Sequence, residues 1–349
     1  MNKLLLGLGT LAVGFTGGLL FLYLNIPLPW ILGSFATTAL LAQLRVKLAL
    51  PATWRSYAML IIGTMLGAGF SVDVLPNIIR WLPSIAFMLL LTAIFFWVVY
   101  RCLMRFGNMD QTTAFLAAVP GGFSVVSAIA EDMGGDLKRI AMCHTSRMVV
   151  LLVLTPILIG FISDYDLARA SRVALDHGFE ISPGAILLLL FCGSFGWVAA
   201  KALRFNSGML MFPLILSAGI HMAGLSEAHV PPMFSIAAQL VIGCGIGTKF
   251  QGYKFKDIIK DSWISGVMGG GCAVASFLIA KQIAGLLNLS APALLLAYMP
   301  GGAPELGVIA LALGIEPALV ATHSMIRVLG LIIAMSMYAH RSKMGVRRY

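Results

Sequence analysis

AVPGG at Ala118 to Gly122 and YMPGG at Tyr298 to Gly302 put Pro-Gly-Gly inside two apolar stretches, one in each half of the chain. Proline lacks the amide donor a helix needs, and glycine costs about 1 kcal/mol against alanine in a helix interior. Each tripeptide therefore marks a break in the helix, and the fold turns on what these breaks do.

The surrounding composition identifies the solvent. Of 349 residues, 59% are hydrophobic and 11% charged, and the mean hydropathy is +0.94. Soluble domains carry about 25% charged residues, so this is an all-α, polytopic membrane protein. Apolar runs long enough to cross a hydrocarbon layer of about 30 Å recur throughout. They lie near Leu4 to Leu24, Leu28 to Leu44, Tyr57 to Val74, Leu82 to Leu103 and Ile140 to Ile162. A second set lies near Gly184 to Leu203, Leu210 to Leu225, Met233 to Lys249, Ser262 to Ala284 and Leu319 to Tyr338. The first run follows Lys3 and lacks a small-x-small cleavage site, so it reads as a retained span. Five single cysteines, without a CxxC pair, read as small buried apolar residues.

Sliding the chain against itself so that Pro120 falls on Pro300 also places Gly63 and Gly67 on Gly243 and Gly247, Asp136 on Glu316 and Arg147 on Arg327. From Pro120 to Arg147, eight of 28 positions are identical without a gap. A constant offset of this kind reads as a tandem duplication. It gives a first repeat at 1–163, a polar linker at 164–182 with four acids, and a second repeat at 183–349.

Basic residues decide the relative orientation, because cytoplasmic loops are enriched in Lys and Arg. If each Pro-Gly-Gly element spans the membrane, 13 basic residues fall inside and 9 outside. If each enters and leaves by one face, 18 fall inside, with only Arg80, Arg169, Arg172 and Lys281 outside. Five spans plus a re-entrant element give an odd number of crossings, so the second repeat is inverted. Both termini then face the cytoplasm of a bacterial-type inner membrane. The arms flanking each tripeptide are ten to eleven residues, about 15 Å, which sets the tips near the midplane; a kinked continuous helix is the alternative. The arms that begin at Phe123 and Ala303 point positive ends at the centre and favour an anion, while the arms ending at the prolines offer carbonyls to a cation.

Candidate site residues follow from this frame. They are Pro120, Gly121, Gly122 and Ser124 of the first tip and Pro300, Gly301, Gly302 and Glu305 of the second. Arg147 and Arg327 lie within their spans, with His144 and His323 on the same helical faces. A buried arginine marks a function by default; here it either contacts a ligand or ties helices together through hairpin carbonyls, Glu131, Asp132 or Glu305. Ser127 offers a further hydroxyl, and Glu305, where the first half has Val125, offers a coupling carboxylate. The spacings Gly14/Gly18, Gly63/Gly67, Gly243/Gly247 and Gly266/Gly270 let helices approach closely and are compatible with a homodimer.

The blocks AAVPGGFSVVSAIAEDMGGD…CHTSRMVVLLVLTP and AYMPGGAPELGVIALALGIEPALVATHSMIRVLGL resemble the AbrB-type duplicated membrane protein family over nearly the whole chain. The family pattern of a histidine or glutamine before the arginine is met by His144/Arg147 and His323/Arg327. Gly135 has Ile315 as its counterpart, and FNSGMLMFP carries Phe212 where the family has a glycine, so this turn is left out of the site. Members have been labelled ammonia monooxygenase or regulator of gene expression. The six histidines form no metal-ligand cluster, and the +10 charge is dispersed over short loops rather than gathered in a nucleic-acid-binding module. The expectation is therefore a secondary transporter, built of inverted repeats with broken elements at mid-membrane, for a small anionic organic solute. No cofactor is expected apart from a coupling Na⁺ or H⁺. The partners are the lipid bilayer and the solute, with no nucleic acid. The alternative is a membrane sensor that affects expression indirectly.

Overall fold

The computed structural model describes residues 3–121, 123–130, 133–162, 182–253 and 255–346. Gly122, Glu131, Asp132, Lys254, nearly all of the 164–182 linker with Arg169 and Arg172, and the C-terminal Arg347 and Arg348 lie outside the described residues, as does the side chain of Ser124. Every regular element among the described residues is helical. The first group comprises α1 (Lys3–Tyr23), α2 (Pro29–Gln43), α3 (Ala52–Gly67), the short α4 (Leu75–Arg80), α5 (Leu82–Phe106), α6 (Gln111–Ala118), α7 (Phe123–Ala130) and α8 (Leu137–Ile162). The second comprises α9 (Pro183–Ala202), α10 (Gly208–Met222), α11 (Pro232–Gly247), α12 (Phe255–Leu287), α13 (Ala291–Tyr298), α14 (Ala303–Leu313) and α15 (Pro317–Val346).

Seven helical segments among the described residues are long and apolar enough to cross a membrane. They belong to α1, α5, α8, α9, α11 with the turn after it, α12 and α15. The outer faces of α1, α5 and α9 expose Leu4, Leu8, Leu90, Trp97, Leu187 and Phe191. Apolar surface this continuous suits lipid rather than water. The chain is a polytopic helical membrane protein. All ten expected spans are helical, but α2, α3 and α10 have only 15 or 16 residues. The expected span Tyr57 to Val74 is displaced. Pro51 sets the start of α3 well before Tyr57, the helix stops at Gly67, and Val72–Val74 forms a separate 3₁₀ turn. Hydropathy places Arg55 outside the span, whereas the structure puts it in the first turn.

Small residues hold the helices together. Gly14, Gly17 and Gly18 of α1 face Ser34, Gly33 and Trp30 of α2; Gly243 and Gly247 of α11 face Ser34 and Thr38 of α2. Gly63 and Gly67 of α3 lie on the carbonyls of Leu210 and Leu214 in α10, and Ser217 donates to the Thr64 carbonyl at 2.9 Å. Gly266, Gly269 and Gly270 of α12 face Ser146, Arg147 and Val150 of α8. All four glycine spacings thus serve packing within the chain.

Helix directions can be read from these registers. Arg139, near the start of α8, donates to the carbonyls of Gly107 and Asn108 just past the end of α5, at 2.8 and 3.2 Å, so α8 starts where α5 ends and, as a span, runs in the opposite direction. Ser84, near the start of α5, bonds His323 of α15 at 2.9 Å, and Leu89 further along faces Gly330, so α15 runs with α5. Helices α8 and α15, which carry the two arginines, therefore run in opposite directions. The starts of α1, α2, α3, α6, α7 and α8 recur as the starts of α9, α10, α11, α13, α14 and α15. Their offset matches that of Pro120 from Pro300 to within a single position.

Candidate functional site

The first Pro-Gly-Gly element is a hairpin. Asp110 caps α6, its carboxylate accepting from the Thr113 amide at 2.9 Å. Beyond α7, the Asp136 amide donates to the Thr113 hydroxyl at 3.0 Å. The two ends of the element therefore meet, whereas a kinked spanning helix would hold them about 30 Å apart. Each arm has eight residues, about 12 Å, slightly shorter than the sequence predicts. In the second element Ser290 caps α13 in the position equivalent to Asp110. The chain turns at Pro300, where the Gly301 amide reaches back to the Met299 carbonyl at 2.8 Å, and α14 ends at Gly314, whose φ of 64° needs glycine. The tips meet: a Cβ on Gly121, itself at φ 86°, would stand 3.4 Å from the Gly301 carbonyl oxygen.

Both arginines are buried and clamp the hairpin carbonyls. Arg147, 3% exposed, donates to Ala117 and Ala118 at 3.2 and 3.3 Å and to Val119. Arg327, 1% exposed, donates to Ala297, Met299 and Gly301 at 3.1, 2.6 and 3.4 Å. These carbonyls lie at or just past the ends of α6 and α13, where a helix leaves acceptors unpaired and a cation is favoured. The guanidinium groups thus stand on the carbonyls that the sequence offers to a coupling cation.

The two histidines face helix carbonyls through different ring nitrogens. Arg147 donates to His144 Nδ1 at 3.1 Å, so Nε2 carries the proton and donates to the Leu116 carbonyl at 3.2 Å. His323 Nδ1 donates to the Leu319 carbonyl at 2.9 Å, and its Nε2 shares a hydrogen bond with Ser84 Oγ, which also bonds the Tyr298 hydroxyl, each at 2.9 Å.

A cavity of about 110 Å³ opens beside the tips. Gly121, Pro300, Gly302 and Glu305 line it from the hairpins, and His144, Arg147 and Met148 from α8. Of the residues that the sequence predicts for the site, Arg327, His323, Gly301 and Pro120 lie outside the cavity lining. The structure adds Arg55 and Met59 of α3, Lys249 after α11, and Asn206, Ser207, Leu210 and Met211 at the start of α10. The turn in FNSGMLMFP is therefore part of the cavity wall, although Phe212 itself packs on Phe205. Glu305 Oε1 stands 3.7 Å from Arg55 Nη2, with the glutamate side chain 10% exposed. Lys249 lies over the Phe123 ring, 5.3 Å from its centroid. Among the described residues, no three His, Cys, Asp or Glu side chains gather to hold a metal ion.

A family profile described as "Transition state regulatory protein AbrB" matches residues 30–342, which includes both hairpins and both arginines. The chain belongs to the AbrB family. A relative from Bacillus subtilis (strain 168), "Uncharacterized protein YhjN", is 25% identical over 96% of this chain and 92% of its own length. An Escherichia coli (strain K12) member, "Putative regulator AbrB", is 24% identical over 66% of each chain. This membership, and the membrane fold described above, agree with the resemblance in the sequence.

Proposed function

We propose that this AbrB-family chain is a secondary transporter that moves a small, anionic organic solute by alternating access. It would do so as two inverted repeats, 1–163 and 183–349, joined by the linker 164–182, in a bacterial-type inner membrane with cytoplasmic termini. The observation that carries this reading is the meeting of two half-membrane hairpins, each braced by a buried arginine, at a cavity that holds Arg55, Lys249 and Arg147. Broken elements that meet near the midplane are how many transporters expose backbone dipoles to a solute, and such backbone is tolerated there only when buried or lining a cavity. Lys138, at the start of α8, lies over Tyr253, which shares a small pocket with Lys249, so the Lys249 side of the cavity lies toward the face where the first hairpin enters. On this reading that face is cytoplasmic and the conformer is inward-facing.

A coupling Na⁺ or H⁺ belongs to the same proposal. The arginines fill the tip carbonyls, which leaves Glu305 as the group suited to carry a proton. The name of the E. coli relative favours a second reading, a membrane-embedded sensor that influences gene expression; it shares the binding site but lacks net flux. A homodimer on either reading would use a lipid-facing surface, since the glycine faces are taken up within the chain.

Proteoliposomes loaded with labelled organic acids discriminate between the two. We expect exchange of at least one acid, reduced about tenfold or more by Arg55→Gln or Lys249→Gln, since each removes a charge worth about 1.4 kcal/mol or more to a buried anion. Binding without flux for any acid would contradict the transporter reading and leave the sensor.

A further inference from the structure

Among the described residues, Glu305 is the sole acid in a cavity that otherwise holds cations, and its placement is specific. It is the third residue of α14, so its carboxylate folds back over the start of that helix. A Cβ on the capping residue Gly302 would overlap Glu305 Oε2. The helix start is where an incoming carboxylate would be favoured. The same carboxylate reaches across to Arg55 on α3, at 3.7 Å. Lys249 lines the cavity with them and has no carboxylate within ion-pair distance among the described residues. The first hairpin has Val125 at the equivalent position. One tip therefore carries its own acid and the other does not.

We propose that Glu305 is a built-in stand-in for the solute: Arg55 and Lys249 form a carboxylate-binding pair, Glu305 occupies it in the empty protein, and a small carboxylate binds by displacing Glu305 from Arg55. The inference rests on the proposed function for its location but concerns recognition rather than flux. It accounts for a charged pair in a wall that faces a solute, because the Glu305 carboxylate, 10% exposed, is costly to bury without a counter-ion and Arg55, 38% exposed, supplies one. It also names the solute class. Arg55, Lys249 and Arg147 are balanced by Glu305 and a ligand of charge up to minus two, which fits a mono- or dicarboxylate.

Binding of acetate and succinate to the purified full-length protein in detergent tests this, with size-exclusion elution as the folding control. Glu305→Gln removes the internal competitor and is expected to tighten succinate binding about tenfold. Arg55→Gln weakens it about tenfold, and in the Arg55→Gln background Glu305→Gln no longer tightens it. Gly302→Ala, at backbone angles that any residue adopts (φ −74°, ψ 141°), keeps the carboxylate but pushes it off its seat and so tightens binding as well. Unchanged or weaker binding in both Glu305→Gln and Gly302→Ala overturns the inference, as does an absence of carboxylate binding in every form. The expected binding pattern without flux in proteoliposomes leaves the inference standing and removes the transporter reading. Flux of a non-carboxylate anion with no carboxylate binding does the reverse.

Discussion

Arg327→Ala is expected to destabilise the fold severely. The guanidinium is 1% exposed and donates to three carbonyls of the second hairpin. Removing it leaves those acceptors unpaired at a depth where no bulk water replaces the donor, and each buried, unpaired group costs about 1–3 kcal/mol. Truncating one member of a buried charged network costs about 3–5 kcal/mol, a large part of the roughly 5–15 kcal/mol by which proteins are stable. Arg147→Ala removes the same kind of clamp from the first hairpin. The corresponding lysine variants keep the charge but lose the planar fork that reaches several carbonyls at once, so they should melt between wild type and alanine. The two sites should then diverge. Arg147 lines the cavity and Arg327 does not, so Arg147→Lys lowers both melting temperature and carboxylate affinity, while Arg327→Lys lowers the melting temperature alone. Thermal melts of detergent-solubilised protein read this directly. An Arg327→Ala protein that melts like wild type would show that the hairpin carbonyls are satisfied elsewhere.

Gly121→Val should leave the protein folded and nearly inactive. Gly121 has φ 86°, and a Cβ on it would meet the Gly301 carbonyl oxygen of the opposite tip at 3.4 Å. A β-branched side chain at this left-handed backbone position, with its Cβ against the opposite tip's carbonyl, brings strain of about 2 kcal/mol in the state where the tips touch. That lowers the population of the state roughly 30-fold. The hairpin itself stays braced by Arg147 and by the Thr113 bond at its base, so the melting temperature changes little while exchange falls by about the same factor. Gly121→Ala, which adds only the Cβ, should fall between. Exchange at the wild-type rate in Gly121→Val would mean that tip contact plays no part in the cycle.

What the sequence reveals and what it hides have a physical explanation. Tip, histidine and arginine share one short segment in each half, Pro120 to Arg147 and Pro300 to Arg327, and a single register maps the first segment onto the second. Local spacing therefore suffices to find them. The hairpin is legible from the charge distribution because a re-entrant element changes which face every later loop occupies. Arg55 and Lys249 are hidden for the same reason. Both count toward the cytoplasmic excess of basic residues, and the register that maps Pro120 onto Pro300 does not bring positions 55 and 249 together. They reach the cavity only because α3 begins before its apolar run and because a 3₁₀ turn at Thr248–Phe250 follows α11. Asn206 and Ser207 escape attention because their turn departs from the family pattern at Phe212, a residue that packs away from the cavity. The use of tip carbonyls is likewise a tertiary matter: composition shows that α6 and α13 end in free acceptors, but only the folded chain shows that an arginine from a later helix takes them.

The central claim is that two hairpins enter from opposite faces and meet in the middle. Impermeant thiol labelling of single cysteines tests it most directly, in a chain whose five native cysteines are replaced by alanine. Asn108 and Lys138 flank the first hairpin, Asn288 and Glu316 flank the second, and all four are exposed. The account predicts that Asn108→Cys and Lys138→Cys react from one face of sealed vesicles and that Asn288→Cys and Glu316→Cys react from the other. Reaction of Asn108→Cys and Lys138→Cys from different faces would contradict it.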